Sequence, residues 1–216
     1  MPHLLPAIKN CSGNYTNACR LQNGCIFNHQ KTTGMYIPAY YRNENHAELL
    51  QFIKTFPFAV VASNGNDIPF ITHLPVLTGQ EEPGLELLTH FSRANKHGLQ
   101  LKTGDDILVA FHGPHGYVSP SHYEKQQNVP TWNYIAVHAA GKVTVISYPA
   151  ETYALLESSV NYFEPAYFEQ WKNLDEKYVQ QMMQGITGIR ISVTSLEGKF
   201  KLSQNKTDNE RKQIIN

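Results

Sequence analysis

The feature that most constrains this chain is a pair of apolar runs, FAVVAS and IPFITHLPVL, separated by Asn64-Gly65-Asn66-Asp67. An Asn-Gly step accepts the positive φ of a tight turn, so two such runs become antiparallel neighbours. The same grammar continues downstream. LELLTHF reads as a third strand and DILVAFHG as a fourth; WNYIAVHAAGKVTVIS reads as a long hairpin turning near Gly141, and TGIRISVTSLEGKFKLSQN as two strands joined at Glu197-Gly198. Helices fall between groups of strands. NENHAELLQFIKTFP carries a capping-box pair, Asn45 and Glu48, and is closed by Pro57. SRANKHGLQLKTG is a short helix stopping at Gly104, YPAETYALLESSVNYFE opens on Pro149, and LDEKYVQQMMQG ends at Gly185. About seven strands that do not alternate with helices argue against a doubly wound parallel sheet and for an antiparallel barrel with helical insertions.

Composition narrows the function classes. At 216 residues the chain can bury a core without disulfides or metal. Lys plus Arg equals Asp plus Glu at 18 each, which gives no lead toward a strongly basic nucleic-acid binder. No apolar run approaches a membrane span, and residues 1–30 lack a secretory pattern, so the expected compartment is the cytoplasm. Cys11, Cys19 and Cys25 are odd in number and form no CxxC pair; a zinc site there would need His29 and better spacing. Residues 1–34 show no steady period, and Met35 stands where a start codon would place it, so the segment is expected to be an extension or tag.

The polar residues gather at strand ends. In THFSRANKH, Ser92, Arg93, Asn95, Lys96 and His97 surround a strand-to-helix junction whose free N–H groups, guanidinium, ammonium and hydroxyl suit a phosphate. The alternative is a solvated helix start with Ser92 as the cap. FHGPHGYVSPSHY brings His112, His115 and His122 close together, but neither HExxH nor a common zinc spacing is present, and no metal is expected. No GxSxG elbow supports a serine hydrolase. Trp132, Tyr134, Tyr117 and Phe111 offer surfaces for a flat heteroaromatic ligand, or else simply pack in the core.

Six ordered motifs, MYIPAYYR, THLP, HFSRANKH, FHGPHGYVSPSHY, VPTWNYIAVHAAG and EGKFKLSQNK, together resemble the PaiB family of bacterial FMN-binding negative transcriptional regulators. The resemblance covers residues 35–216 and none of residues 1–34. It implies a mainly β, pyridoxamine-phosphate-oxidase-like FMN-binding split barrel that works as a homodimer, with DNA as a candidate partner and no catalytic residue assigned. By the same analogy Ser92, Arg93 and Lys96, with Asn95 between them, would hold the flavin phosphate. Thr72 and His73 would lie along the flavin, and His112 would stand in the pocket wall. Trp132, Asn133 and Gln204 would line the pocket from the WNY and SQN segments, both segments coming from the same or the other subunit. His122 stands where this family often has Trp. Two other functions share the fold: an NAD(P)H-dependent flavin oxidoreductase, with His73 or His112 tuning the flavin, and a haem-binding or haem-degrading protein.

Overall fold

The computed structural model describes residues 34–215. The cysteines, His29 and the expected extension, save Gly34, lie outside the described residues. In chain order the elements are β1 (Arg42–Asn43), α1 (His46–Thr55), β2 (Phe58–Ser63), β3 (Phe70–Pro75), β4 (Leu77–Thr78), β5 (Glu86–Ser92), α2 (Lys96–Gln100) and β6 (Asp106–Val118). They continue as β7 (Thr131–Val145), α3 (Pro149–Phe163), α4 (Phe168–Lys172), α5 (Glu176–Gln184), β8 (Ile186–Lys201) and α6 (Asp208–Ile215).

All strand pairs are antiparallel, and the sheet runs β3-β2-β6-β7-β8-β5-β4 with β1 added to β8. The two ends of that path are β3 and β4, yet only Val76 separates them in the chain. A sheet whose outer strands are joined by one residue has to curl, so the strands wrap a barrel. Thr89 on β5 clips the closure by donating to the Pro75 carbonyl at 2.7 Å. Val76 N–H donates to the Pro57 carbonyl at 2.8 Å.

Alternation fills the interior. Ala59 and Val61, Leu87 and Phe91, Ile107, Val109 and Phe111, Val137 and Ala139, and Ile189 and Ile191 all point inward at period two. The α1 helix adds Leu49, Phe52 and Ile53 to the same core. Its start is as expected: Glu48 N–H donates to Asn45 Oδ1 at 3.3 Å, and Glu48 Oε1 accepts from Asn45 Nδ2 at 3.1 Å.

Three expectations about turns are corrected. Gly141 lies inside one continuous strand, β7, at a register shift between Ala140 and Gly141. A Cβ there would sit 2.4 Å from the Ser192 carbonyl oxygen, so glycine serves a close approach of two backbones. Gly198 likewise lies within continuous β8, and a Cβ there would meet Leu49 Cδ2 at 2.3 Å. DILVAFHG does not end in a loop: β6 runs on to Val118, absorbing Pro114 at a bulge between His112 and His115. The missed elements α4 and α6 are short and lack a strong apolar period. Gly141→Ala should lower stability by about 1–3 kcal/mol through overpacking. Gly116→Ala, where a Cβ meets nothing within 4 Å, should stay within about 0.5 kcal/mol. Urea midpoints of the two variants check this; equal midpoints would refute the close-approach reading.

Candidate functional site

At the β5–α2 junction, a buried histidine organises the surroundings. His97 is 2% exposed. Its Nδ1 bonds Thr72 Oγ1 at 2.9 Å and its Nε2 bonds Ser63 Oγ at 2.9 Å. The ring stacks on Phe70 at 5.4 Å and meets Phe91 edge-on at 4.9 Å. Asn95, not Ser92, caps α2: its Oδ1 accepts from His97 N–H at 2.9 Å, and its Nδ2 donates to Thr72 Oγ1 at 3.3 Å. Ser92 Oγ instead accepts from Ala94 N–H at 3.3 Å. The helix is five residues long and the N–H of its second residue, His97, is already used, so any phosphate here would be held by side chains more than by a helix dipole.

Ser92, Arg93 and Lys96 are all exposed. The ion pairs formed among the described residues use Lys54, Lys142, Lys172, Arg190 and Arg211, leaving Arg93 and Lys96 without a carboxylate within 4 Å. In donor chemistry the junction therefore fits the phosphate of FMN. Arg93 also borders a hollow of about 620 Å³ shared with Ser147, Thr152, Gln180 and Gln184. Thr72 and His73 are successive strand residues and so face opposite sides. Thr72 joins the His97 network, whereas His73 is exposed and lies beside Phe58, with ring centroids 6.3 Å apart.

The remaining candidates sit elsewhere. His112 and Trp132 border an apolar hollow with His115 and Tyr134 on the extension of β6 and β7. Asn133 accepts from Ser203 Oγ at 2.9 Å, and Gln204 Oε1 accepts from Leu202 N–H at 2.8 Å. Register measures the separation. Ser92 pairs with Ile186 at the start of β8, whereas Tyr134 pairs with Lys201 at its end. At about 3.3 Å per residue, roughly 50 Å of curled strand lies along that path, a shorter distance in space. Across β2 the register brings Thr72 opposite Val61 and Val61 opposite Val109, three residues before His112. Within one protomer, then, Thr72, Ser92, Arg93, Asn95 and Lys96 form one group. His112, Trp132, Asn133 and Gln204 form another at the far end of β8.

Sequence reasoning underrated His97, whose burial gives it a structural task, and missed Ser63 and Tyr123. The cue for His97 was its following Gly98, where a Cβ would fall 2.6 Å from Phe91 Cβ. Among the described residues, no cluster of His, Cys, Asp and Glu could hold a metal ion.

Burial pushes the pKa values of His97, His90 and His138 below their ordinary 6.5; for His138 the Glu197 carboxylate acts in the opposite sense. The unfolded chain therefore takes up protons first as pH falls. Stability is fully present above about pH 6.5 and is lost as pH drops through the folded values. Urea midpoints should be lower at about pH 5.5 than at about pH 7.5, with a smaller difference in His97→Gln. A wild-type midpoint that is the same at both pH values would contradict a buried neutral His97.

The family model described as "Putative FMN-binding domain" matches residues 35–195. Protease synthase and sporulation protein PAI 2 of Bacillus subtilis is 32% identical over 184 residues, which cover 84% of this chain and 87% of that protein. An uncharacterized protein of Aspergillus fumigatus is 30% identical over 235 residues, covering 84% of this chain and 89% of its own. Among solved structures, the FAD and haem binding protein from Mycobacterium smegmatis superposes with a TM-score of 0.60 at 16% identity, covering 79% of this chain and 78% of that one. The flavocytochrome Anf3 from Azotobacter vinelandii gives 0.59 at 19% identity, covering 74% and 69%. At these identities the structural likeness shows the fold, an antiparallel β barrel with helices. The family match over residues 35–195 and the 32% identity show that this chain belongs to the FMN-binding domain family and is a homologue of the PAI 2 protein, with FMN as its cofactor.

Proposed function

We propose that this protein is an FMN-binding transcriptional regulator of the PaiB kind, acting as a homodimer. The 32% identity to the PAI 2 protein over most of both chains carries the reading. In it, the flavin phosphate is held by Ser92, Arg93 and Lys96, with Asn95 and Thr72 fixing the junction through His97. The rest of the pocket comes from the other end of a second copy: His112, Trp132, Asn133 and Gln204.

The separation of those two groups along β8 favours a dimer, because a two-fold axis can bring one protomer's far end to its partner's junction. The outer face of β2 and β3 supports the same reading. Phe58 is 59% exposed and Ile71 60% exposed on one face, and His73 lies with them. Apolar side chains concentrated this way on an outer face mark an interaction surface.

The basic residues toward the end of the chain do not form one free stripe. Lys199 lies over the rings of Tyr36 and Tyr134, Lys206 lies over Tyr123, and Arg211 pairs with Asp208. Direct DNA contact in this reading therefore does not follow one continuous stripe there and draws on surfaces formed by the dimer.

Titration of the full chain with FMN tests the cofactor site. Saturable binding is expected, weakened roughly 10- to 150-fold in Arg93→Ala, the worth of a charge-assisted bond of about 1.5–3 kcal/mol. Saturable binding that Arg93→Ala leaves intact would move the phosphate elsewhere. Sedimentation should give twice the 24.5 kDa chain mass. Regulation is tested by retention of genomic DNA fragments, with affinity falling linearly against log salt. No DNA retention combined with NAD(P)H turnover by the FMN-loaded protein would instead make it an oxidoreductase.

A further inference from the structure

At the far end of β8 lies a cavity of about 160 Å³ lined by Tyr123, Asn133, Lys201, Ser203 and Lys206. Tyr123 is 8% exposed and its hydroxyl has no hydrogen-bond partner. An unpaired buried hydroxyl is costly and calls for an explanation. Lys206 lies over the same ring, its Nζ 3.7 Å from the centroid, and donates to Asn128 Oδ1 at 2.9 Å. Lys201 donates to Thr131 Oγ1 and to the Trp132 carbonyl, the latter at 2.7 Å. Neither ammonium has a carboxylate within 4 Å among the described residues.

The rest of the wall has the same sense. Ser203 is buried with φ at +62°, a left-handed backbone uncommon outside glycine. That turn folds the chain back so that Ser203 Oγ donates to Asn133 Oδ1, which leaves the Asn133 Nδ2 protons available. Glu210, the acid that acts electrostatically on Tyr123 and Lys206, accepts from the backbone N–H groups of Glu124 and Thr207 and does not line the cavity. The cavity thus presents a phenol, an amide and two ammonium groups, each with protons to donate. An ammonium has three donors and no acceptor, so the complement of this set is a compact anion with several acceptor oxygens.

We propose that this cavity binds a phosphate group, separately from the junction at Ser92 and Arg93. Tyr123, Lys201, Lys206 and Asn133 are its donors. Lys201, Ser203 and Lys206 all lie beyond residue 195, where the family match ends. The site stands on its own geometry and does not require the flavin placement proposed above. Its occupant is either free phosphate or the phosphomonoester of a nucleotide.

The test is thermal unfolding of the full chain with sodium phosphate, at ionic strength held constant with sodium chloride. A saturable rise in Tm is expected, as for any ligand that binds only the native state. Tyr123→Phe should leave the unliganded Tm unchanged, because the hydroxyl has no partner to lose, and should weaken phosphate binding roughly tenfold or more. Lys206→Gln should weaken it comparably. Competition separates the sources: AMP that displaces phosphate identifies a nucleotide phosphomonoester, whereas AMP without effect identifies the free anion. Displacement by FMN would assign the cavity to the flavin phosphate and overturn a separate site. A wild-type response no larger than that to chloride would overturn the proposal. So would a phosphate response that survives both Tyr123→Phe and Lys206→Gln.

Discussion

Barrel closure through Val76 is the constraint on which the rest of the structure depends. The outer strands of the sheet, β3 and β4, are consecutive in the chain with one residue between them. That connection leaves the sheet no flat alternative. Curling in turn removes most exposed strand edges, which would otherwise template pairing with other chains. It also makes the interior a filled core of Val, Ile, Leu and Phe. A flat ligand the size of a flavin finds no room inside such a core, so cofactor chemistry has to be staged on the outside.

The staging at the β5–α2 junction follows from one histidine. His97 ties β2 through Ser63, β3 through Thr72 and the α2 cap through Asn95. The cap bond is made by the His97 backbone N–H, and the two ring bonds go to hydroxyls, so a neutral ring can donate from one nitrogen and accept at the other. Burial holds the ring neutral by lowering its pKa. The polar residues next to it in sequence, Ser92, Arg93 and Lys96, are then presented outward on a rigid corner. The histidine is thus support for a site, and the cations beside it are its candidate contact groups.

Much of this was legible in the sequence. Period-two alternation and the Asn45–Glu48 cap carried the antiparallel class and the first helix. The Asn-Gly step marked the first hairpin, but its connection is the looser stretch 64–69 and Gly65 does not take a positive φ. Motif resemblance carried the family and its cofactor. Two glycines misled, and for one physical reason. Glycine permits a turn, but it also permits a close approach, by the Ser192 backbone at Gly141 and by the Leu49 side chain at Gly198. Reading both as turns cut two long strands in half and hid the spine formed by β7 and β8. Pro114 misled in the same direction, because a bulge lets a strand carry a proline that would otherwise end it. The division of the candidate site between the two ends of β8 was beyond reach, since motifs give order along the chain and not distance across it.

The spine also changes what counts as the domain. The family match stops at residue 195, in the middle of β8. The strand continues through Lys201 in unbroken register with β7, and β1 pairs with it at Lys199 and Gly198. Phe200 reaches Phe52 of α1 with ring centroids 6.0 Å apart. Residues after 195 therefore complete the sheet and seat the helix that packs against the core. Lys201 and Lys206, which line the cavity at Tyr123, lie in this same part of the chain, so residues beyond the family match both support the sheet and supply two of that cavity's donors.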